Sequence, residues 1–88
     1  MRRSAKVDGN QAEIVKALRA VGCSVVSLAT IGKGCPDLLV GHKGKNLLLE
    51  VKRPAGKLNE QQKEFRDAWE GDLCVVRSAE EALLLVSR

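Results

Sequence analysis

The chain has 88 residues, of which 44% are hydrophobic and 30% charged, with a net charge of +4 and a pI near 9.2. That is one small domain, which buries only roughly 60–65% of its unfolded surface, so its core is modest and self-association would help it. No apolar run approaches the roughly 20 residues of a membrane span, and no apolar segment follows Met1-Arg2-Arg3-Ser4 as it would in a signal peptide. These features predict a cytosolic protein, of a kind expected from a prokaryote or a phage-infected host. The mild basic bias favours a polyanionic partner, most simply nucleic acid. Aromatic residues are limited to Phe65 and Trp69. This argues against stacking of single-stranded bases and for reading of duplex backbones by Lys and Arg. The three cysteines, Cys23, Cys35 and Cys74, form no C-x-x-C pair. A zinc site or a disulfide framework is therefore not expected. Cys23 and Cys74 read as small core residues, and Cys35 has no assigned role.

Residues 1–7 carry Arg2, Arg3 and Lys6 without periodicity and read as a flexible basic arm, either a DNA-gripping tail or a plain terminus. Residues 8–88 form the single domain. Asp8-Gly9-Asn10 offers N-caps for a first helix whose apolar stripe is Ile14, Ala17, Leu18 and Val21, with Gly22 as its stop. Glu13 shares a helix face with Ala17 and Ala20, at the border of that stripe. Cys23 to Leu28 is β-branched and reads as a first strand. The following Ala29–Pro36 loop is glycine-rich, but its spacing fits neither a Walker loop nor a dinucleotide fingerprint, so no nucleotide cofactor is expected. Glycines on both sides of Lys33 suit either close approach to a DNA phosphate or an ordinary connection.

Two short apolar runs follow, about 37–42 and 46–53, separated by His42-Lys43-Gly44-Lys45. A two-residue Lys43-Gly44 turn makes them a hairpin in which Leu39 faces Leu48 and Asp37 faces Glu50. Directly opposed side chains have Cβ atoms roughly 4.5–5.5 Å apart, so the two carboxylates repel unless a proton or a cation lies between them. Glu50 and Lys52 are two apart on the strand and point to the same side. The opposite side, Leu38, Val40, Leu47, Leu49 and Val51, is core. The spacing suggests a hard cation held by Asp37 and Glu50, with Lys52 beside it.

Arg53 to Leu58 is a basic loop, and Pro54 ends strand pairing. Asn59-Glu60-Gln61-Gln62 is a capping box opening a second helix to about Trp69, with Phe65 and Trp69 expected on its buried face. Leu73 to Arg77 is a fourth strand. Ser78-Ala79-Glu80-Glu81 is a second capping box, leading into a last helix through Leu83, Leu84 and Val86.

Gly34-Cys35-Pro36-Asp37 followed by Glu50-Val51-Lys52 resembles the PD-(D/E)xK nuclease signature. With Gly56, Leu58 and Gln62 downstream, it resembles the VRR-NUC branch, small stand-alone phage members included; the likeness runs from about Glu13 to Trp69. It implies an α/β (α+β) restriction-endonuclease-like core of order αβββαβα, with a mixed four-stranded sheet flanked by helices. It also implies a Mg²⁺-dependent endodeoxyribonuclease in which Mn²⁺ substitutes, acting as a homodimer on duplex or branched DNA such as four-way (Holliday) junctions. Asp37 and Glu50 would ligate the metal, with the Val51 carbonyl a further ligand and Lys52 handling the attacking water. By resemblance Glu13 lies beside the metal and Gln62 borders the site, while Lys33, Arg53, Lys57, Arg2 and Arg3 are the expected DNA contacts. Two alternatives stand beside this reading: a non-catalytic DNA-binding module with a structural acidic cluster, and a general nicking nuclease acting with a partner protein. Asn59 and Glu60 depart from the Ser/Thr and Pro of the family, at no catalytic position.

Overall fold

The computed structural model describes residues 9–88, so the basic arm expected over residues 1–7, with Arg2 and Arg3, lies outside the described residues. The order is α1 (Gln11–Ala20), β1 (Ser24–Ser27), β2 (Leu38–His42), β3 (Lys45–Val51), α2 (Glu60–Ala68), β4 (Leu73–Val76) and α3 (Ala79–Val86). The sheet order is β1-β2-β3-β4; β1–β2 and β2–β3 are antiparallel and β3–β4 is parallel. This is the predicted αβββαβα arrangement around a mixed four-stranded sheet. No helix among the described residues is long and apolar enough to cross a membrane.

The hairpin forms in the expected register, with Leu39 opposite Leu48 and His42 opposite Lys45. Lys43 (φ 52°) and Gly44 (φ 80°) are both left-handed, as a two-residue turn matched to the right-handed strand twist requires. A slip of one residue would turn every side chain of β3 to the other side. The observed register buries Leu38, Val40, Leu49 and Val51 against Ile14 and Leu18 of α1 and Ala82 of α3, joined by Val25 and Val76. Leu47 is only half-buried at the margin of this core.

The helix termini follow the sequence signals, with two differences. Asn59 and Gln62 form the full capping box of α2, Asn59 N–H donating to Gln62 Oε1 and Gln62 N–H to Asn59 Oδ1, each at 2.9 Å. At α3 the Ser78 hydroxyl accepts from Glu81 N–H, but the Glu81 carboxylate accepts from Arg77 N–H rather than from Ser78. Asn10 stands at the N-cap position of α1, yet its side chain makes no cap. Its amide is engaged elsewhere, as described below.

A further difference concerns the packing of α2. Its predicted buried face is absent: no residue of α2 is buried, and Trp69 is 46% exposed, although Phe65 and Trp69 stack with ring centroids 5.4 Å apart. Among the described residues, α1 and α3 cover one side of the sheet, while α2 lies over the side that carries Leu48 and Glu50. The helix meets the glycine-rich loop closely, since a Cβ on Gly34 would overlap the Gln61 carbonyl. Gly34 is also left-handed, at φ 79°. Both facts require glycine there.

The packing predicts an asymmetric response to substitution. Leu49 is fully buried at the centre of the core and Leu84 is 68% exposed. Leu49→Ala should lower the unfolding free energy by about 2–5 kcal/mol in a urea titration, whereas Leu84→Ser should change it by no more than about 0.5 kcal/mol.

Candidate active site

The site is built where β2 begins and β3 ends. Asp37 immediately precedes β2, and its Oδ2 accepts a 2.7 Å hydrogen bond from the Val51 backbone N–H. This bond fixes the Asp37 carboxylate beside the end of β3, with its charge directed at Glu50. Glu50 is buried at 4% exposure on the side of the sheet below α2. Its carboxyl lies within hydrogen-bonding reach of Asp37. Burial, then the Asp37 charge and the contact with Asp37, push the Glu50 carboxyl from its ordinary 4.5 up to about 8, against the opposing pull of Lys52. Lys52 Nζ is 3.6 Å from Glu50 Oε2, and Gln62 Nε2 donates to the same oxygen at 3.2 Å. The two remaining neighbours of Glu50 thus come from its own strand and from the first turn of α2.

A narrow gap between α2 and the sheet is lined by Gly34, Pro36, Glu50, Leu58, Gln62 and Arg66. A larger surface groove of about 640 Å³ lies at the other end of the hairpin, beside His42, Lys43 and Leu84, and shares no residue with the carboxylate site. The clustered ionisable groups therefore lie at the smaller recess, where burial brings them into contact.

Asp37, Glu50 and Lys52 lie together at the end of the hairpin, where the spacing puts them, and Gln62 and the Val51 backbone lie beside them. The contact of Val51 to Asp37 is through its N–H. Glu13 is exposed on α1, and among the described residues no three His, Cys, Asp or Glu side chains form a metal-ligating cluster, so Glu13 does not join the pair. Lys33, Arg53 and Lys57 are exposed on the loops flanking the site, Lys33 at φ 59° within a tight turn closed by Cys35 N–H on the Gly32 carbonyl. Gln62 holds both of its readings at once, since Oε1 caps α2 and Nε2 reaches Glu50.

Two residues near the site were not legible as such. The Cys35 thiol is pushed up by burial and by the charges of Glu50 and Asp37, which places it beside the pair. Asn10 donates from one amide nitrogen to the carbonyls of Lys52, at 3.1 Å, and Arg77, at 3.0 Å. In the sequence Asn10 carries only the signal of a helix cap.

Two hard carboxylates in contact, one of them holding a proton into the neutral range, fit a divalent cation that takes oxygen ligands and keeps several waters. They do not supply the three or four nitrogen and sulfur donors of a zinc site.

The chain matches a solved structure described as a VRR_NUC domain, with a TM-score of 0.66 and 26% identity, over 92% of this chain and 98% of that one. No family model matches the sequence, and no curated protein does. The element order and the mixed sheet accord with that likeness, which extends over nearly the whole of both chains. The chain is thus similar, in fold and over nearly its whole length, to a VRR_NUC domain.

Proposed function

We propose that the chain is a divalent-metal-dependent endonuclease that hydrolyses phosphodiester bonds of DNA. The observation that carries this reading is the buried contact between the Asp37 and Glu50 carboxyls with Lys52 against Glu50. Two like charges held together in a low-dielectric recess are stable only with a proton or a cation between them. Mg²⁺, with Mn²⁺ as substitute, would supply Lewis-acid polarisation of the phosphoryl oxygen and an acidified water when bound.

Asp37 and Glu50 provide the hard oxygen ligands, and the Val51 carbonyl is the proposed third. Lys52 orients or deprotonates the attacking water and offsets charge that develops on the phosphate. Gln62 keeps Glu50 turned toward the recess and stands within reach of the same water. Lys33, Arg53 and Lys57 would grip the DNA backbone on either side, a sequence-independent contact that weakens with salt. The proposed substrate is branched DNA, such as a four-way junction, recognised through its shape and backbone. A homodimer would present one site to each strand. Val26 and Leu39 support this, being cross-strand neighbours on the Glu50 side of the sheet and exposed at 54% and 37%.

The direct test is cleavage of labelled four-way junctions and matched linear duplexes with Mg²⁺, Mn²⁺ or EDTA. Wild type should cut only with metal, and faster on the junction. Lys52→Ala should lose about 10²–10⁴-fold in rate. Binding without cutting under every metal condition would instead favour the non-catalytic DNA-binding reading.

The Glu50 carboxyl also dictates a pH dependence of stability. It titrates near 4.5 when ordinary and near 8 in the fold, so between those values the folded state binds more protons than the unfolded state. Stability without metal should therefore fall as pH rises from about 4.5 to about 8. In thermal melts Glu50→Gln should flatten that decline and raise the midpoint at pH near 8. Mg²⁺ should stabilise the wild type more at the upper end of the range than at the lower, because metal and proton compete for one carboxyl pair.

A further inference from the structure

Lys52 lies one residue beyond the last paired position of β3, Val51 opposite Val76. Its N–H still donates to the Val76 carbonyl at 3.0 Å. Past that point the chain turns away, with Gly56 N–H closing onto the Arg53 carbonyl at 2.8 Å. β4 ends at the same level, leading through Arg77 into α3. The carbonyls of Lys52 and Arg77 thus reach the end of the parallel ladder together, both as acceptors. One donor pair answers both: Asn10 Nδ2, which bonds the Lys52 carbonyl at 3.1 Å and the Arg77 carbonyl at 3.0 Å. Its partners are 42 and 67 residues away in the chain. Arg77 adds a second tie, its Nη2 donating to the Gly56 carbonyl at 2.9 Å, so the segment that leaves Lys52 is held from the same side.

Asn10 does this at the expense of its own helix. Its carbonyl accepts from Ile14 N–H, which places it at the start of α1, but its side chain provides no cap. A side-chain cap at this position is worth about 0.5–2 kcal/mol. Forgoing a local preference of that size for a long-range bond marks a position whose geometry serves something other than the helix.

With its N–H fixed by Val76 and its carbonyl fixed by Asn10, both peptide planes of Lys52 are set, and with them the direction of its Cα–Cβ bond. The side chain beyond has four rotatable bonds and a high entropy of freedom. Anchoring its root limits where Nζ can lie and favours the 3.6 Å approach to Glu50. We propose that Asn10 is a positioning residue for Lys52, holding the β3–β4 ends together so that the ammonium group stays over the carboxylate pair. This rests on the endonuclease reading of the same site.

The test uses Asn10→Asp and Asn10→Ser on the full chain. Asp and Ser are both good N-caps, so a role confined to starting α1 is preserved or improved by either, while the twin donation from Nδ2 is lost. Melting curves establish that each variant folds. Metal-dependent cleavage of a labelled junction should show kcat lowered on the order of 100-fold, as for a misplacement of about 1 Å, with KM for DNA unchanged. In a Lys52→Ala background the Asn10 substitutions should produce no further loss, because the group they position is gone. Backbone amide exchange at Lys52 should be faster in both Asn10 variants than in wild type. Wild-type kcat in folded Asn10→Asp and Asn10→Ser overturns the inference, as does an equal loss with and without Lys52. If wild type cuts and Lys52→Ala cuts equally well, the role given to Lys52 fails first; if wild type cuts nothing with any metal, the endonuclease reading fails, and the positioning role falls with it.

Discussion

Two carboxyl groups forced together at the end of a hairpin set the terms for the rest of this structure. Asp37 and Glu50 come from different strands, and their proximity follows from strand register. Holding them there is unfavourable on burial and on charge. The surrounding contacts offset it: a main-chain N–H from Val51 on Asp37, and Lys52 with Gln62 on one oxygen of Glu50. None of these partners is available unless β3 is straight through Val51 and α2 starts where Asn59 caps it. The site is thus a test of the fold's geometry at several points at once.

The sheet divides the labour between its sides. The side facing α1 and α3 is fully apolar and contains Ile14, Leu18, Leu38 and Leu49 with no measurable exposure. The other side carries Glu50, with Val26 and Leu39 left partly open. Alternation along β3 makes this possible, since Leu49 and Val51 anchor the strand while Glu50 and Lys52, one residue out of phase, face the recess. A strand buried on both sides gives Glu50 its low-dielectric surroundings, and the well-packed side gives it a rigid base.

The parts of the fold and site that could be read in the sequence are those set by local spacing. The Lys43-Gly44 turn fixed the pairing of β2 with β3, and that pairing brought Asp37 to Glu50. The capping box at Asn59 and Gln62 located α2, and with it a side chain that reaches Glu50. What could not be read depends on distant segments. Asn10 looks like a helix cap because its alternative partners, Lys52 and Arg77, are far along the chain. Phe65 and Trp69 look like a buried stripe because helical spacing says which residues share a face, but not whether a second layer is there to cover it. Glu13 has a plausible place on α1, yet nothing in its spacing says which way that helix face is turned relative to the sheet. Cys35 reads as a bystander, and only the path of the loop brings it next to the carboxyl pair.

The sparse seating of α2 has a consequence for how the site holds together over time. Since this helix contributes no buried side chain, its detachment exposes little apolar area, and it belongs to the low end of the protein's ladder of opening free energies. The carboxyl pair sits on the hairpin, whose strands are consecutive and whose partners are close in sequence, at the high end of that ladder. The recess is therefore assembled from one densely packed wall and one sparsely packed wall. A substitution that loosens α2 would therefore unsettle Gln62 and the recess while leaving the hairpin and its carboxyl pair in place.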